Sequence, residues 1–151
     1  MTSSTDWHPG TLLALSGSYW KTCTLHAGVR LDIFTCIGPD TLTAKQVTQR
    51  RHLDLRGTTM LLDALAAMDL LTKTTSGYAN TPAANRFLSK DSDQYIGYMI
   101  LHHHHLADAW VRMDEAITRG GPIRERSSVS SDEWREAFLM GMFNNAMATA
   151  P

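Results

Sequence analysis

The stretch from residue 42 to 81 constrains the fold most, because its local signals predict two short helices in close succession. Thr43 and Gln46 have the T-x-x-Q spacing of a capping box, whose side chains satisfy the free backbone N–H groups at a helix start. Asp54 is a favourable N-cap for a second helix. The inward stripe of that helix is expected to repeat at steps of four and three residues: Leu61, Leu65 and Met68. The first helix should therefore begin at Thr43 and the second just after Asp54.

A change of hydrophobic period follows the second helix. Residues 70–74 are rich in Leu and Thr and predict a strand, residues 75–77 form a Thr-Ser-Gly turn, and residues 78–80 can return as a second strand. Thr81 and Pro82 then supply an N-cap and a first helical position. Two short helices followed by a small hairpin is the winged-helix arrangement.

The charge of this unit argues against a DNA reader. DNA affinity depends on Lys and Arg contacts to phosphate, and a recognition helix needs side chains that reach base edges. The second helix sets Arg56 against Asp63 and Asp69, and the whole chain has 14 Lys+Arg against 15 Asp+Glu. Lys45, Arg50 and Arg51 on the preceding helix are interpreted as an ordinary solvated face. We therefore interpret the winged helix as a packing module and expect no nucleic-acid partner.

Composition indicates one soluble globular domain. A chain of 151 residues with 43% hydrophobic content can bury a substantial core. No segment resembles a membrane span, and residues 1–10, interpreted as a disordered lead-in, lack the features of a secretory signal. We expect a cytoplasmic protein without a membrane partner. Cys23 and Cys36 have no CxxC spacing and are expected to be reduced and mostly buried.

Two amphipathic helices are predicted ahead of the winged unit. The first covers residues 11–22, with an apolar repeat of Leu12, Leu15 and Tyr19. The second covers residues 25–37 and ends at a Gly-Pro-Asp turn; its inward side is Leu25, Val29, Ile33 and Cys36. Together with Tyr19, Trp20 and Phe34, these helices carry more apolar surface than a small winged core can cover. A partner subunit is the natural place for the surplus.

A long helix is predicted over residues 93–119, ended by Gly120 and Gly121. Its apolar positions alternate in steps of four and three and predict a coiled-coil-like seam: Met99, His103, Leu106, Trp110, Met113 and Ile117. Residues 123–130 form a polar loop. Ser130 and Glu133 make a second capping box, which opens a final helix carrying Trp134, Phe138, Met142 and Phe143.

Four consecutive histidines, His102 to His105, invite a metal site. Successive helical residues point about 100° apart, so the four imidazoles cannot converge on one ion. Only His102 with His105, or His104 or His105 with Asp108, share a face. We predict no metal site; the sharper hypothesis is that His103, on the Met/Trp stripe, lines a small-molecule pocket.

No catalytic constellation is complete in the sequence. The glycines never make G-x-G-x-x-G, no G-x-S-x-G is present, and Glu115 and Glu136 are isolated carboxylates on helices. On these residues alone the chain is not expected to be catalytic.

The order of motifs resembles the N-terminal region of class I S-adenosylmethionine-dependent O-methyltransferases, of the plant caffeate/hydroxyindole type and their bacterial relatives. LHAGVRLDIFTCI is similar to the family's helix ending in Leu-x-hydrophobic-Phe, and residues 42–71 are similar to its winged helix. GYANTPAANRFL, Trp110 ahead of a Gly-Gly turn, and MFNNAMA at residues 142–148 follow in the family's order. The resemblance covers nearly the whole chain from Thr11.

The resemblance implies a mainly α-helical, winged-helix-like domain with a small β-hairpin wing and long flanking helices, forming an intertwined homodimer. It implies a dimerisation domain at 11–122, then a linker and helix at 123–151 leading to a cofactor domain beyond this chain. S-adenosylmethionine would belong to the whole protein, with no cofactor bound by this chain alone. Phe143 and Met147 match the pocket-lining Phe and Met of the family. With His103 and Trp110 they are the predicted binding residues for an aromatic or hydroxylated acceptor.

Two rival functions stay open at this stage. One is a stand-alone small-molecule-binding or regulatory protein derived from the methyltransferase N-terminal domain. The other is a winged-helix transcription regulator, disfavoured by the acidic second helix. The sequence also departs from the family: Ala150 stands where a histidine is often found, and four histidines replace more varied residues in the long helix.

Overall fold

Two short helices and a small sheet form the centre of the molecule. The structure is a computed structural model, and it describes residues 6–123 and 131–149. The elements, in chain order, are α1 (Pro9–Ser16), α2 (Tyr19–Arg30), α3 (Ile33–Ile37), β1 (Thr41–Leu42), α4 (Ala44–Arg51), α5 (Leu55–Ala67), β2 (Leu71–Thr74), β3 (Gly77–Asn80), α6 (Pro82–Leu88), α7 (Gly97–Val111), α8 (Met113–Arg119) and α9 (Asp132–Thr149). The predicted mainly helical, winged-helix-like fold is confirmed.

Side-chain caps start the helices of the winged unit where the sequence predicted them. Thr43 Oγ1 accepts from the Gln46 backbone N–H at 3.3 Å, and Gln46 Oε1 accepts from the Thr43 N–H at 2.8 Å. Asp54 Oδ1 accepts from the Gly57 N–H at 2.7 Å, and Thr81 caps α6 ahead of Pro82. Each cap satisfies N–H groups that the helix leaves without an internal partner.

The wing is a three-stranded antiparallel sheet with strand order β1-β3-β2. The predicted hairpin pairs Leu71 with Asn80 and Thr74 with Gly77. The third strand, β1, was not predicted; it has two residues, too few to show a period. Gly77 has φ 139°, and a Cβ there would lie 2.6 Å from the Leu42 carbonyl carbon, so the close approach of β1 requires glycine.

One hydrophobic core lies between α2, α3, α4, α5 and the wing. Its fully buried large side chains are Phe34, Ile33, Ile37, Leu62, Leu65 and Val47. The predicted stripe on α5 was partly wrong: Leu62 and Leu65 are fully buried, whereas Leu61 is half-buried and Met68 is the C-cap. Leucine stands at both 61 and 62, and the packing of α5 against α2 and β2 decides which points inward.

The two helices predicted ahead of the winged unit are divided differently in the structure. The helix predicted over 11–22 begins at Pro9, capped by His8, and breaks at Gly17, whose N–H bonds the Leu13 carbonyl at 2.9 Å. The helix predicted over 25–37 breaks at Asp32, which has φ 56°. The Asp32 carboxylate lies 3.3 Å from the Arg51 guanidinium and 3.5 Å from the Lys90 ammonium, partners that a local pattern cannot show.

Burial corrects two further expectations. Phe34 was counted among the surplus apolar residues, but it is fully buried, whereas Tyr19 and Trp20 are exposed. The cysteines were expected to be mostly buried, but Cys23 is exposed and Cys36 half-buried; both are free thiols. The difference follows from the break at Asp32, which turns α3 into the core and leaves the start of α2 outside.

The long helix predicted over 93–119 is two helices. It starts four residues later, at Gly97, and breaks at Arg112, whose guanidinium makes two 2.9 Å hydrogen bonds to the Glu115 carboxylate. Gly120, at φ 70°, ends α8 as predicted. The predicted seam does not face the core: α7 buries Gly97, Ile100 and His105 instead.

The final helix, α9, lies along α7. Its predicted capping residue, Ser130, and residues 124–130 of the predicted polar loop fall outside the described part of the chain. No helix within residues 6–123 and 131–149 has the length and apolar character needed to cross a membrane.

Candidate functional site: two hollows on the outer helices

The first hollow lies between α9 and the turn that precedes α7, and is called here the α9 hollow. It has a volume of about 480 Å³ and contains both predicted acceptor residues of α9. Its lining is Phe87, Asp93, Gln94, Tyr95, Ile96, Phe143, Asn144 and Met147. The side chains of Phe143 and Met147 are 58% and 63% exposed, so an aromatic ring and a thioether are available to a ligand.

Two contacts hold α9 in place beside this hollow, and a third close approach fixes the turn before α7. Asn144 Nδ2 donates a 2.7 Å hydrogen bond to the Tyr95 carbonyl. A Cβ at Gly141 would lie 3.0 Å from the Met99 Cα, so the absence of a side chain lets α9 approach α7 closely. A Cβ at Gly97 would overlap the Tyr95 ring. Gly141 and Asn144 therefore position Phe143 and Met147 against the start of α7, and Gly97 leaves room there for the Tyr95 ring.

Tyr95 forms the inner wall of the α9 hollow. Its ring is buried and meets the Tyr98 ring edge-on at a centroid distance of 5.2 Å. Burial raises the pKa of Tyr95 to about 12, and the nearby Asp32 carboxylate and Tyr98 add to the effect. The phenol therefore keeps its proton at neutral pH and acts as an uncharged wall.

The second hollow runs between α2 and α7, and is called here the α2–α7 groove. Its volume is about 500 Å³ and its lining is Tyr19, Thr22, Cys23, His26, His103, Leu106, Ala107, Trp110 and Val111. Trp110 is 65% exposed and His103 is exposed at the rim. Three residues of the predicted seam thus line this groove: His103, Leu106 and Trp110.

His26 is the buried polar residue of this groove. It is only 5% exposed, and its ring meets the His104 ring edge-on at 5.6 Å. Burial lowers the pKa of His26, and the His104 and His103 imidazoles lower it further. An imidazole with a lowered pKa is neutral at neutral pH.

The four consecutive imidazoles point to different neighbours. His102 lies beside Phe138, His104 beside His26, and His105 stacks on Trp134 at 4.8 Å, whereas His103 lines the groove. Across the described ranges, no three His, Cys, Asp or Glu side chains are grouped so that they could hold a metal ion.

The predicted binding residues therefore fall into two pairs. Phe143 and Met147 meet in the α9 hollow, and His103 and Trp110 meet in the α2–α7 groove. Sequence reasoning missed Tyr95 and Asn144, although the Phe-Asn motif that marks Phe143 contains Asn144. It also missed His26, a single histidine in a helix of mixed polarity.

Comparison with known proteins identifies the domain type. Residues 13–90 match the family model of the O-methyltransferase dimerisation domain. This range contains α2 to α6, the wing included, and the second half of α1.

Two curated relatives are methyltransferases. The tetracenomycin polyketide synthesis 8-O-methyl transferase of Streptomyces glaucescens is 33% identical over 74% of this chain and 34% of its own length. The 3-hydroxy-5-methyl-1-naphthoate 3-O-methyltransferase of Streptomyces sahachiroi is 29% identical over 94% of this chain and 43% of its own length. This chain thus spans between a third and a half of the length of these relatives.

A solved structure shares the fold. The O-methyltransferase family protein from Burkholderia thailandensis superimposes with a TM-score of 0.82 and 26% identity, covering 95% of this chain and 44% of that chain. The shared region extends past the matched domain to include the outer helices. The chain belongs to the O-methyltransferase dimerisation-domain family.

Proposed function

We propose that this chain joins two copies of an O-methyltransferase and supplies part of the wall that holds the acceptor. The observation that carries the first half is the apolar outer face. Large apolar side chains on α1, α2, α7 and α8 are exposed: Leu12, Leu13, Leu15, Tyr19, Trp20, Trp110, Val111, Met113 and Ile117. Exposed apolar patches of this extent on a soluble protein mark an interaction surface.

A second copy is the occupant that best fits this face. Helix α1 buries none of its own residues against the rest of the chain, so its leucines need a surface from elsewhere. The α2–α7 groove, whose lining includes Tyr19 at the start of α2, offers such a surface. We therefore assign His103 and Trp110 to the contact between subunits rather than to the acceptor.

The charges of the winged unit support packing over DNA binding. Arg50 donates to the Cys36 carbonyl at 3.2 Å and Arg51 to the Leu31 carbonyl at 3.0 Å. Two of the three cations on α4 thus tie that helix to α2 and α3.

Substitution of Trp110 tests the subunit contact. Trp110→Asp places a charge in the α2–α7 groove and should weaken self-association at least tenfold, because a desolvated unpaired charge is costly. Met60→Asp is the matched control, since Met60 is 60% exposed on α5, outside the outer face. Sedimentation velocity across protein concentration measures both. Equal association of Trp110→Asp and the wild type would contradict the assignment.

The second half of the proposal concerns the α9 hollow. Its volume of about 480 Å³ lies within the range of small-molecule sites, and Phe143 and Met147 suit a flat aromatic ring. In the whole methyltransferase, S-adenosylmethionine held by a cofactor domain would supply the methyl group. This chain would orient the hydroxylated ring and shield it from water.

Binding of a hydroxylated naphthoic acid tests the hollow. In an NMR titration, shift changes should gather at Phe143, Met147 and Tyr95, and Phe143→Ala should weaken binding about tenfold. Leu139→Ala is the matched control, because Leu139 is 63% exposed on the same helix but does not line the hollow. Equal weakening by both substitutions, or shifts gathered in the α2–α7 groove, would contradict the proposal.

A further inference from the structure

Imidazoles connect three helices, α2, α7 and α9, beside the α2–α7 groove. His26 on α2 meets His104 on α7 edge-on at 5.6 Å, and Arg30, one turn along α2, has its guanidinium 2.9 Å from His104 Nε2. His105 on α7 stacks on Trp134 of α9 at 4.8 Å, with the ring planes 18° apart. His26, Arg30, His104 and His105 are called here the imidazole cluster.

The hydrogen bond between Arg30 and His104 fixes the proton on His104. A guanidinium can only donate, so His104 Nε2 must accept. The ring proton of the neutral imidazole then lies on Nδ1. A doubly protonated His104 cannot make this contact and would set a second positive charge beside Arg30.

We propose that the imidazole cluster is a pH-sensitive contact, which holds α2 against α7 while His26 and His104 are neutral and releases the groove walls when they are protonated. Tyr19 and Cys23 line the groove from α2, and Trp110 lines it from α7, so separation of the helices would take the subunit contact apart. The inference rests on the proposed function in this one respect, that the groove is where two copies meet.

Charges from every helix packed around the cluster enter the balance. The groups are His26 and Arg30 on α2, His102 to His105 on α7, Glu133 and Glu136 on α9, and Lys90 between α6 and α7. Glu133 favours protonation: its carboxylate lies 4.0 Å from His105 Nε2 and raises the pKa of both His104 and His105. Burial has a larger effect than Glu133 and acts in the opposite direction, and the charge of Arg30 adds to it. The pKa of His104 and the pKa of His105 are therefore both lowered.

The direction of the pH dependence follows from these lowered pKa values. As pH falls, the histidines of the unfolded or separated chain bind protons near the ordinary histidine pKa of about 6.5, whereas those of the packed state bind protons only at lower pH. The stabilising contribution of the cluster is therefore fully present above about pH 6.5 and is lost as pH falls below that value through the folded-state pKa.

Sedimentation velocity between pH 8 and pH 5 tests the proposal with the whole chain. The wild type should be a dimer at pH 8 and shift towards monomer below about pH 6.5. His104→Gln should dissociate less than the wild type at pH 5, because a glutamine oxygen can still accept from Arg30 but does not titrate, whereas His26 still does. His26→Phe with His104→Gln removes both titrating groups of the α2–α7 contact, and this double variant should stay dimeric at pH 8 and at pH 5. His52→Asn, at an exposed histidine outside the cluster, should behave as the wild type.

The outcomes separate the two proposals. A dimer that persists unchanged at pH 5, or the same pH-dependent shift in His104→Gln, overturns the role of the cluster and leaves the dimer standing. A monomer at every pH overturns the subunit contact. In that case imidazole ¹⁵N NMR still decides: the cluster requires His104 with its proton on Nδ1 and a pKa below 6.5, and an Nε2–H form or a higher pKa overturns it.

Discussion

The winged unit and the outer helices are built from similar residues but are completed differently. In the winged unit, Thr43, Asp54 and Thr81 cap their helices, and Val47, Leu62 and Leu65 are fully buried within the chain. Among the outer helices, α1 and α8 bury no residue, and α7 begins at Gly97 without a side-chain cap from Ile96. The winged unit thus covers these apolar side chains within the chain, whereas α1 and α8 leave theirs for another surface.

This difference teaches that one short sequence can encode a core and an interface with the same apolar patterning. Apolar residues at alternating steps of three and four predict that a helix face will be covered. The covering surface can belong to the same chain or to another. Burial in the isolated chain tells the two cases apart. The following substitutions sharpen or break that distinction.

The largest effect is expected for Leu65→Ala in the winged core. Leu65 is fully buried, so the substitution should lower the free energy of unfolding by about 2–5 kcal/mol through lost burial and the cavity left behind. Ile117→Ala, at 75% exposure, should act only through association, so its effect on urea denaturation should grow with protein concentration. If Ile117→Ala costs as much as Leu65→Ala in dilute protein, the comparison between the two regions is wrong.

An intermediate effect is expected for Gly97→Ala at the start of α7. Alanine favours helix, but its Cβ would overlap the buried Tyr95 ring, and relieving such overpacking costs about 1–3 kcal/mol. Gly121→Ala is the control, because a Cβ there meets nothing within 4 Å. Thermal unfolding followed by near-ultraviolet circular dichroism reports both stability and the tyrosine environment. An unchanged transition and spectrum for Gly97→Ala would show that α7 is not fixed by this contact.

The smallest effect is expected for Thr43→Ala. Loss of the capping box leaves N–H groups at the start of α4 without their side-chain acceptor and should cost about 1 kcal/mol. Thr59→Ala on α5 is the matched change, since the Thr59 hydroxyl only bonds the preceding Leu55 carbonyl at 2.8 Å and alanine is the better helix former. Chemical denaturation should therefore rank Thr43→Ala below Thr59→Ala. The reverse order would show that local caps do not set the stability of the winged unit.

How far the sequence predicts this molecule depends on how local each signal is. The caps at Thr43, Asp54 and Thr81 were predicted because their partners lie within three residues. The break at Asp32 was not, because it depends on Arg51 and Lys90 from other parts of the chain. Strand β1 was not predicted either, because its two residues are too few to show the alternation of apolar and polar side chains that marks a strand.

The same reasoning applies to the candidate site. Phe143 and Met147 were predicted by resemblance to a family motif, and the structure places both in one hollow. Tyr95 and Asn144 were missed because their contact joins positions 49 residues apart. His103 and Trp110 line one hollow, but the pattern did not show that Phe143 lines a different one.

Sedimentation equilibrium of the unmodified chain at pH 8 tests the central claim most directly. The account predicts a species of twice the chain mass at micromolar concentration, since the apolar outer face needs a second copy to cover it. A folded species with the mass of one chain, unchanged over a hundredfold range of concentration, would contradict it.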